Sequence, residues 1–283
     1  LARIGLRPWV YSIAPFVYAR PFEQIRNDVC LHDLPVFLVG NGGGYAYGVM
    51  GATHHAIEDY GVLLGLQRMK VFVPAFGADV PFAVERILQH SGPAYLRLGR
   101  DEKPKGLVLP AYTPWRRILA GHGATLLMVG PLAGGLCAVA STLPEEVRPR
   151  AWVLSELPVK AADLRPDFLE DVRQSRHLIV VEEHVAQGGV GAQLAYALLT
   201  LGCEMPRFTH RCAQGYPSGY YGSQIYHRRE CGLDADALLG LLKVTPCPPP
   251  CDRPRSDHES SLCQVPSWCA GPAGSWAPIS CGP

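Results

Sequence analysis

Apolar positions along the chain follow two alternating rhythms, short continuous runs and longer segments spaced three and four apart, which predict buried strands between core-facing helices. Pro8 to Ile13 (PWVYSI) reads as the first strand. Pro21 suits a first helical turn, and Phe22, Ile25 and Val29 carry a helical stripe to about His32. Val36-Phe37-Leu38-Val39 has the length and branching of a buried parallel strand. A glycine-rich stretch from Gly40 to Gly51 follows it, leading to Thr53-His54-His55 at the expected start of a helix that continues from Ala56 to Leu66. Lys70 to Val73 is the next strand. In the helix expected over Ala78 to Gln89, residues Val80, Ala83, Val84, Ile87 and Leu88 share one face. Ala94 to Leu98 closes a βαβαβ unit.

Asp101 to His122 holds three prolines, several charges and little periodicity, which is linker composition. A second α/β unit follows. Its expected strands are Thr125–Val129, Ala151–Ser155 and His177–Glu182, with Arg207–Thr209 as a weak fourth; its expected helices are Leu132–Leu143, Pro166–Gln174, Val190–Leu201 and Asp234–Leu242. The predicted class is α/β, with two open, mostly parallel sheets and a disordered tail. The expected division is a first domain over 1–106, a linker over 107–122, a second domain over 123–243 and a Pro/Cys-rich tail over 244–283.

With 283 residues, 48% of them hydrophobic, the chain can build two ordinary cores. A net charge of +1 gives no electrostatic case for nucleic acid or a membrane surface. No apolar run approaches the roughly 18 residues of a membrane span and no basic-then-apolar leader is seen, so a cytoplasmic protein is expected. Cys30, Cys137, Cys203, Cys212 and Cys231 stand singly, as thiols of a reducing compartment do, while the other five crowd into the tail. The tail spacings, C-x3-C and C-x5-C, are not paired as zinc ribbons require, so no metal site is expected there. The chain begins at Leu1 and not at methionine, which fits an N-terminally incomplete first domain.

A strand, a glycine-rich loop and then polar side chains is how an open α/β sheet presents chemistry at the carboxyl ends of its strands. Glycine also lets a ligand lie against bare backbone. A second glycine cluster, Gly188-Gly189-Val190-Gly191, lacks the spacing of a dinucleotide fingerprint and follows the third strand of its unit, which argues against nucleotide binding.

Three stretches, in order, resemble the transketolase family, specifically the C-terminal subunit of its split, two-chain members. Arg20-Pro-Phe-Glu-Gln-Ile-Arg26 resembles the R-A-Y-E-Q-I-R helix of the pyrimidine-binding domain. Gly51-Ala-Thr-His-His55, followed by Glu58-Asp59, resembles G-P-[ST]-H-[QH]. Val180-Val-Glu-Glu-His184 with Gly188-Gly189-Val-Gly191 resembles V-V-E-E-H…G-G-x-G of the C-terminal domain. The resemblance covers about residues 8 to 243. It implies a thiamine-diphosphate-binding fold for the first domain and a transketolase C-terminal-like fold for the second.

The resemblance further implies thiamine diphosphate with Mg²⁺ as cofactor, transfer of a two-carbon ketol unit between sugar phosphates, and a diphosphate-binding partner subunit in an α2β2 assembly. Phe16, with Tyr18 as second candidate, matches the ring on which the cofactor's aminopyrimidine stacks. His54 matches the histidine facing the reacting carbon and the donor's hydroxyls, a post suited to an imidazole. His55 is a lesser substrate candidate. Arg100 resembles the arginine that grips the sugar phosphate through its bidentate fork, and Arg97 reads as a packing or salt-bridge residue. Glu182, Glu183 and His184 read as a solvated strand end or a subunit contact.

Two family elements are missing from the sequence: the activating glutamate of an A-E-Q-like segment, and the G-D-G…N metal motif. The first belongs upstream of the Pro8–Ile13 strand, in a part of the domain that this sequence begins too late to include, and the second is expected on the partner subunit. Val49-Met50 stands where many transketolases carry an acidic pair, which implies a different or less polar acceptor pocket and weak activity on ordinary pentose phosphates. Deoxyxylulose-phosphate synthase, the decarboxylase subunit of a 2-oxoacid dehydrogenase and a non-catalytic interaction subunit are the alternatives.

Overall fold

The computed structural model describes residues 1–242; the Cys/Pro-rich tail, with its cysteine spacings, lies outside the described residues. The first half runs β1 (Trp9–Ile13), α1 (Ala14–Tyr18), α2 (Phe22–Gln24), β2 (Phe37–Asn41), α3 (Asp59–Leu64), β3 (Lys70–Phe72), α4 (Val80–Gln89) and β4 (Ala94–Leu98). The second half runs β5 (Trp115–Leu119), β6 (Thr125–Val129), α5 (Leu132–Ala140), β7 (Arg150–Leu154), β8 (Glu156–Leu157), α6 (Pro166–Ser175), β9 (His177–Val185), α7 (Val190–Thr200), β10 (Arg207–Ala213), α8 (Gln224–Glu230) and α9 (Ala235–Leu242).

Two five-stranded sheets result, in the orders β1-β2-β4-β3-β8 and β10-β9-β6-β7-β5. All neighbours are parallel except the edge strands β8 and β5, which pair antiparallel with β3 and β7. The central strands are apolar along their whole length because both faces are covered: Thr125 to Val129 is buried at every position. In β2 and β4, Asn41 lies beside Leu98 at the carboxyl ends, and Ile13 of β1 lies on the other side of Asn41, so three strand ends meet on one edge. No helix of the described residues is long and apolar enough to cross a membrane.

Several expectations are corrected. The 107–122 linker contains β5, entered directly after Pro114, and Leu107 and Leu109 pack on the core; the prolines mark its start and obscure its strand. Strand β8 leaves the second half to complete the first sheet, with Val71 opposite Leu157 and Phe72 opposite Glu156. Thr53, His54 and His55 lie on a turn, not a helix start, and α3 begins only at Asp59. The cause is a bridge between Gly44 and Ala56, each N–H donating to the other's carbonyl (2.8 and 2.9 Å), which holds Ala56 extended. The helical stripe after Pro21 is realised as α2 and one wide turn over Ile25–Cys30.

Glu182, Glu183 and His184 are also not a solvated strand end: they are 0%, 5% and 0% exposed and tie the two halves together. The Glu182 carboxylate accepts from the Val190 and Gly191 N–H groups (2.8 and 2.9 Å), from His210 (2.6 Å) and from the Tyr60 hydroxyl of α3. Gly188 to Gly191 thus opens α7 on an anion supplied by its own strand, leaving that helix end no need of a bound phosphate. Tyr60 stacks on His184 at 3.7 Å, and Gly61 N–H donates to His184 Nε2 (3.0 Å) while Nδ1 donates to the Val185 carbonyl (2.7 Å).

Burial alone pushes the Glu182 carboxyl upward, yet the bonds from His210, Gly191 and Tyr60 outweigh it and hold the group below the usual carboxylate range. A depressed carboxyl stabilises the fold fully above its unfolded value and loses that contribution as pH falls through its folded value. Urea midpoints measured from pH 7 to pH 3 should fall below about pH 4.3, the ordinary glutamate value. In Glu182→Gln the midpoint should start lower and fall less steeply.

Candidate active site

The glycine-rich loop was expected to offer bare backbone to a ligand, but the chain's own side chains fill it. A Cβ at Gly40 would overlap the Tyr95 ring, one at Gly42 the Tyr47 ring and one at Gly43 the Arg97 side chain. At Gly44 it would stand 2.7 Å from the Glu183 carboxylate. Gly42 and Gly44 also take φ of 76° and 68°, which favours glycine independently of space. Glycine here admits one side chain from each of four directions.

Three of the four, Tyr95, Arg97 and Glu183, belong to a buried polar net. Arg97, 3% exposed, donates to Asp59 (2.8 Å) and to the carbonyls of Ala56 (2.9 Å) and Glu183 (3.0 Å). Tyr95 also donates to Asp59 (2.8 Å). Glu183 accepts from Tyr45 N–H (2.8 Å), Gln224 (3.0 Å) and Arg228 (2.9 Å), and Arg228 donates further to Glu102 (2.7 Å). Arg97 is thus the salt-bridge residue expected of it. The net holds the loop rigidly at the carboxyl end of β2.

On this frame stand three rings. Phe16, half-buried on α1 just past β1, meets His54 edge-on at 5.1 Å. Tyr47 lies 5.9 Å from His54 on another side, and its hydroxyl accepts from the Asn41 amide (3.2 Å). His54 is half-exposed, with Nδ1 2.9 Å from the Thr53 hydroxyl. The Arg20 guanidinium lies 3.9 Å from the Phe16 ring centre and covers part of that ring. A half-open imidazole between aromatic rings, at the carboxyl ends of parallel strands, can pass a proton to a ligand lodged there.

Other expected residues fall elsewhere. Tyr18 is 6% exposed and part of the core; burial, then the Asp59 and Glu58 charges, raise its phenol far above the ordinary value, so it presents no ring face to a ligand. His55 is 3% exposed, its Nε2 donating to the Gly48 carbonyl (2.8 Å) and its Nδ1 accepting from Tyr216 (2.9 Å). Both nitrogens are engaged within the chain, and burial lowers its basicity, so His55 is a packing residue and not a substrate contact. Arg100 is exposed at the rim of a shallow, small cleft also lined by Gly43, Gly99, Pro131 and Arg228. Phe16 and His54 do not line that cleft. Sequence reasoning passed over Tyr47; the signal was its place five residues beyond Gly42, whose missing side chain it covers. Among the described residues no group of three or more His, Cys, Asp or Glu side chains could hold a metal ion.

The fold and its motifs have counterparts among known proteins. Residues 1–105 match the transketolase pyrimidine-binding domain. The chain is 29% identical over 241 residues to an apulose-4-phosphate transketolase subunit of Actinobacillus succinogenes, covering 81% of this chain and 74% of that protein. It is 31% identical over 256 residues to 1-deoxy-D-xylulose-5-phosphate synthase 2 of Geobacter sulfurreducens, covering 86% of this chain but only 39% of that protein. Among solved structures, a split-gene transketolase described as an inactive beta4 tetramer superposes with a TM-score of 0.69 at 26% identity, over 85% of this chain and 76% of that one. A transketolase from Campylobacter jejuni shares the fold, with a TM-score of 0.65 at 18% identity, over 85% and 36% of the two chains. The motifs, the two parallel-sheet halves and these likenesses lead to one conclusion: the chain belongs to the transketolase family, and residues 1–105 are its pyrimidine-binding domain.

Proposed function

We propose that the chain is the C-terminal subunit of a two-chain, thiamine-diphosphate-dependent transketolase-like enzyme that moves a two-carbon ketol unit between sugar phosphates. The observation carrying this reading is the meeting of Phe16 and His54 at 5.1 Å on the carboxyl edge of the first sheet. A planar heterocycle fits there: Phe16 offers an anchored, half-buried ring, and the imidazole stands at its edge. Arg20 must share the ring or swing from it. When bound, the cofactor supplies the electron sink for breaking a carbon–carbon bond next to a carbonyl.

This chain's own residues orient and protonate. Phe16 would hold the heterocycle's plane, and His54 would exchange a proton with the donor's hydroxyl groups. Thr53 limits how the imidazole turns. Arg100, exposed at the neighbouring cleft, is the proposed phosphate contact. The Mg²⁺ ligands would come from a diphosphate-binding partner, in an α2β2 assembly within the cytoplasm. The description of the split-gene relative as an inactive beta4 tetramer supports the reading that this chain alone does not turn over. The residue divisions 1–106 and 123–243 stay the proposed domains, with β5 from the segment between them completing the second sheet and β8 from the second half completing the first.

The test is reconstitution with the diphosphate-binding subunit of a split transketolase. Calorimetric titration should show Mg²⁺-dependent thiamine diphosphate uptake by the mixture only, and a ketose phosphate should yield a two-carbon-shifted product. Weak turnover of xylulose 5-phosphate with ribose 5-phosphate is expected, because Val49 and Met50 are exposed on the loop where an acidic pair would otherwise read hydroxyls. A second reading, deoxyxylulose-phosphate synthase, rests on the Geobacter likeness and is chosen instead if pyruvate, and not a ketose, serves as donor. Uptake without turnover on either donor would leave a supporting, non-catalytic subunit.

A further inference from the structure

Tyr47 has no place in the reading above, yet its setting is built with care. Its ring lies across Gly42, where a φ of 76° and the lack of a Cβ are both needed to admit it. Asn41 donates to its hydroxyl (3.2 Å) and so pins the far end of the ring to the tip of β2. The ring then stands 5.9 Å from His54, while Phe16 stands 5.1 Å away. Tyr47 is half-buried, so part of the phenol faces outward beside the imidazole. On the same turn, Val49 and Met50 present apolar side chains to solvent.

A rigid ring fixed at both ends removes volume beside the proton-handling group and cannot yield it without breaking the Asn41 bond and leaving Gly42 uncovered. Glycine at 42 offers a ligand nothing, because the tyrosine already occupies the space it frees. We propose that Tyr47 is a specificity-determining wall of the His54 site, closing its acceptor side so that a short-chain aldose phosphate is accepted ahead of a five-carbon one. The claim deepens the ketol-transfer reading and rests on it, although the shielding of His54 stands on geometry alone.

Two measurements on Tyr47→Phe, Tyr47→Val and Tyr47→Ala test it. In the isolated full chain, the rate of His54 carbethoxylation by diethyl pyrocarbonate, followed by mass spectrometry, should rise about threefold or more in the Val and Ala variants and rise less in Phe, which keeps the ring but loses the Asn41 bond. In the reconstituted enzyme, the ratio of kcat/KM for ribose 5-phosphate over glyceraldehyde 3-phosphate should rise about tenfold in Val and Ala, through a lower KM for the longer acceptor, as expected when pocket volume of this size is released. Phe, which keeps the ring across Gly42 but loses the Asn41 bond, should fall between the native ratio and that of Val. Val guards against failure of Ala to fold, which circular dichroism would reveal. An unchanged His54 rate in folded Val, or an unchanged acceptor ratio in an active enzyme, overturns the proposal. Absence of transfer by the native pair to any acceptor overturns the ketol-transfer reading and the acceptor claim with it, and the His54 rate separately decides whether Tyr47 walls the site.

Discussion

His54→Ala should lower kcat/KM of the reconstituted enzyme by about 10²–10⁴-fold while leaving cofactor uptake and folding nearly intact. The half-exposed ring makes one edge contact with Phe16 and one bond to Thr53, so truncation removes little packing. An aromatic edge contact is worth about 0.5–1.5 kcal/mol beyond its area, which sets the expected loss in urea denaturation. The rate effect should be far larger, because the rings that border His54 are a phenyl and a phenol, Phe16 and Tyr47, and the neighbouring imidazole of His55 is turned inward. His54→Gln should keep hydrogen bonding and still lose most of the rate. A native rate in either variant would remove His54 from the chemistry, and a loss of cofactor uptake as large as the loss of rate would make it a binding residue.

Arg97→Met, on β4, should be the most destabilising exchange in the net around the loop, by about 3–5 kcal/mol, the usual result of stripping a buried charge of its counter-ion. Asp59 is 0% exposed and one of its oxygens has no partner among the described residues; Arg97 and Tyr95 serve the other. The same guanidinium binds carbonyls of both halves, at Ala56 and Glu183. The pair holds Arg97 ionised, its basicity raised by Asp59, Tyr60 and Tyr95 against the opposing effect of burial, which is the largest single influence. Urea unfolding gives the magnitude. The double variant Asp59→Leu/Arg97→Met should recover part of the loss, since no lone charge then remains buried. A single variant within about 0.5 kcal/mol of the native chain would show that the net does not bear on stability, as surface exchanges usually do not.

Much of this was legible beforehand for physical reasons that differ from element to element. Ala94–Leu98 and Thr125–Val129 sit in sheet centres, where both faces are buried and a continuous apolar run has only one reading. Strand β5 was hidden because WRRIL alternates little and each face carries an arginine, Arg116 paired with Asp79 and Arg117 with Asp171. Helix α8 (QIYHRRE) shows no apolar stripe because it is buried through charge, Arg228 on Glu183 and Glu102. At the site, Phe16 and His54 could be marked from motifs that lie close in sequence. The loop glycines misled, because what they accommodate comes from residues 47, 95, 97 and 183, and only folding brings those to them. His55 and Tyr18 misled in the opposite sense: a polar or aromatic residue beside a motif is as easily turned inward, and one residue along a turn decides which.

Strand β8 has a bearing on ancestry. Because Glu156 and Leu157 finish the opening sheet after the second has already received three of its strands, the polypeptide laces one half to the other before either is complete. Recombination that exchanged the later half wholesale would take a rung from the earlier one, so natural selection can tinker with loops on each but has to pass both on as a matched set.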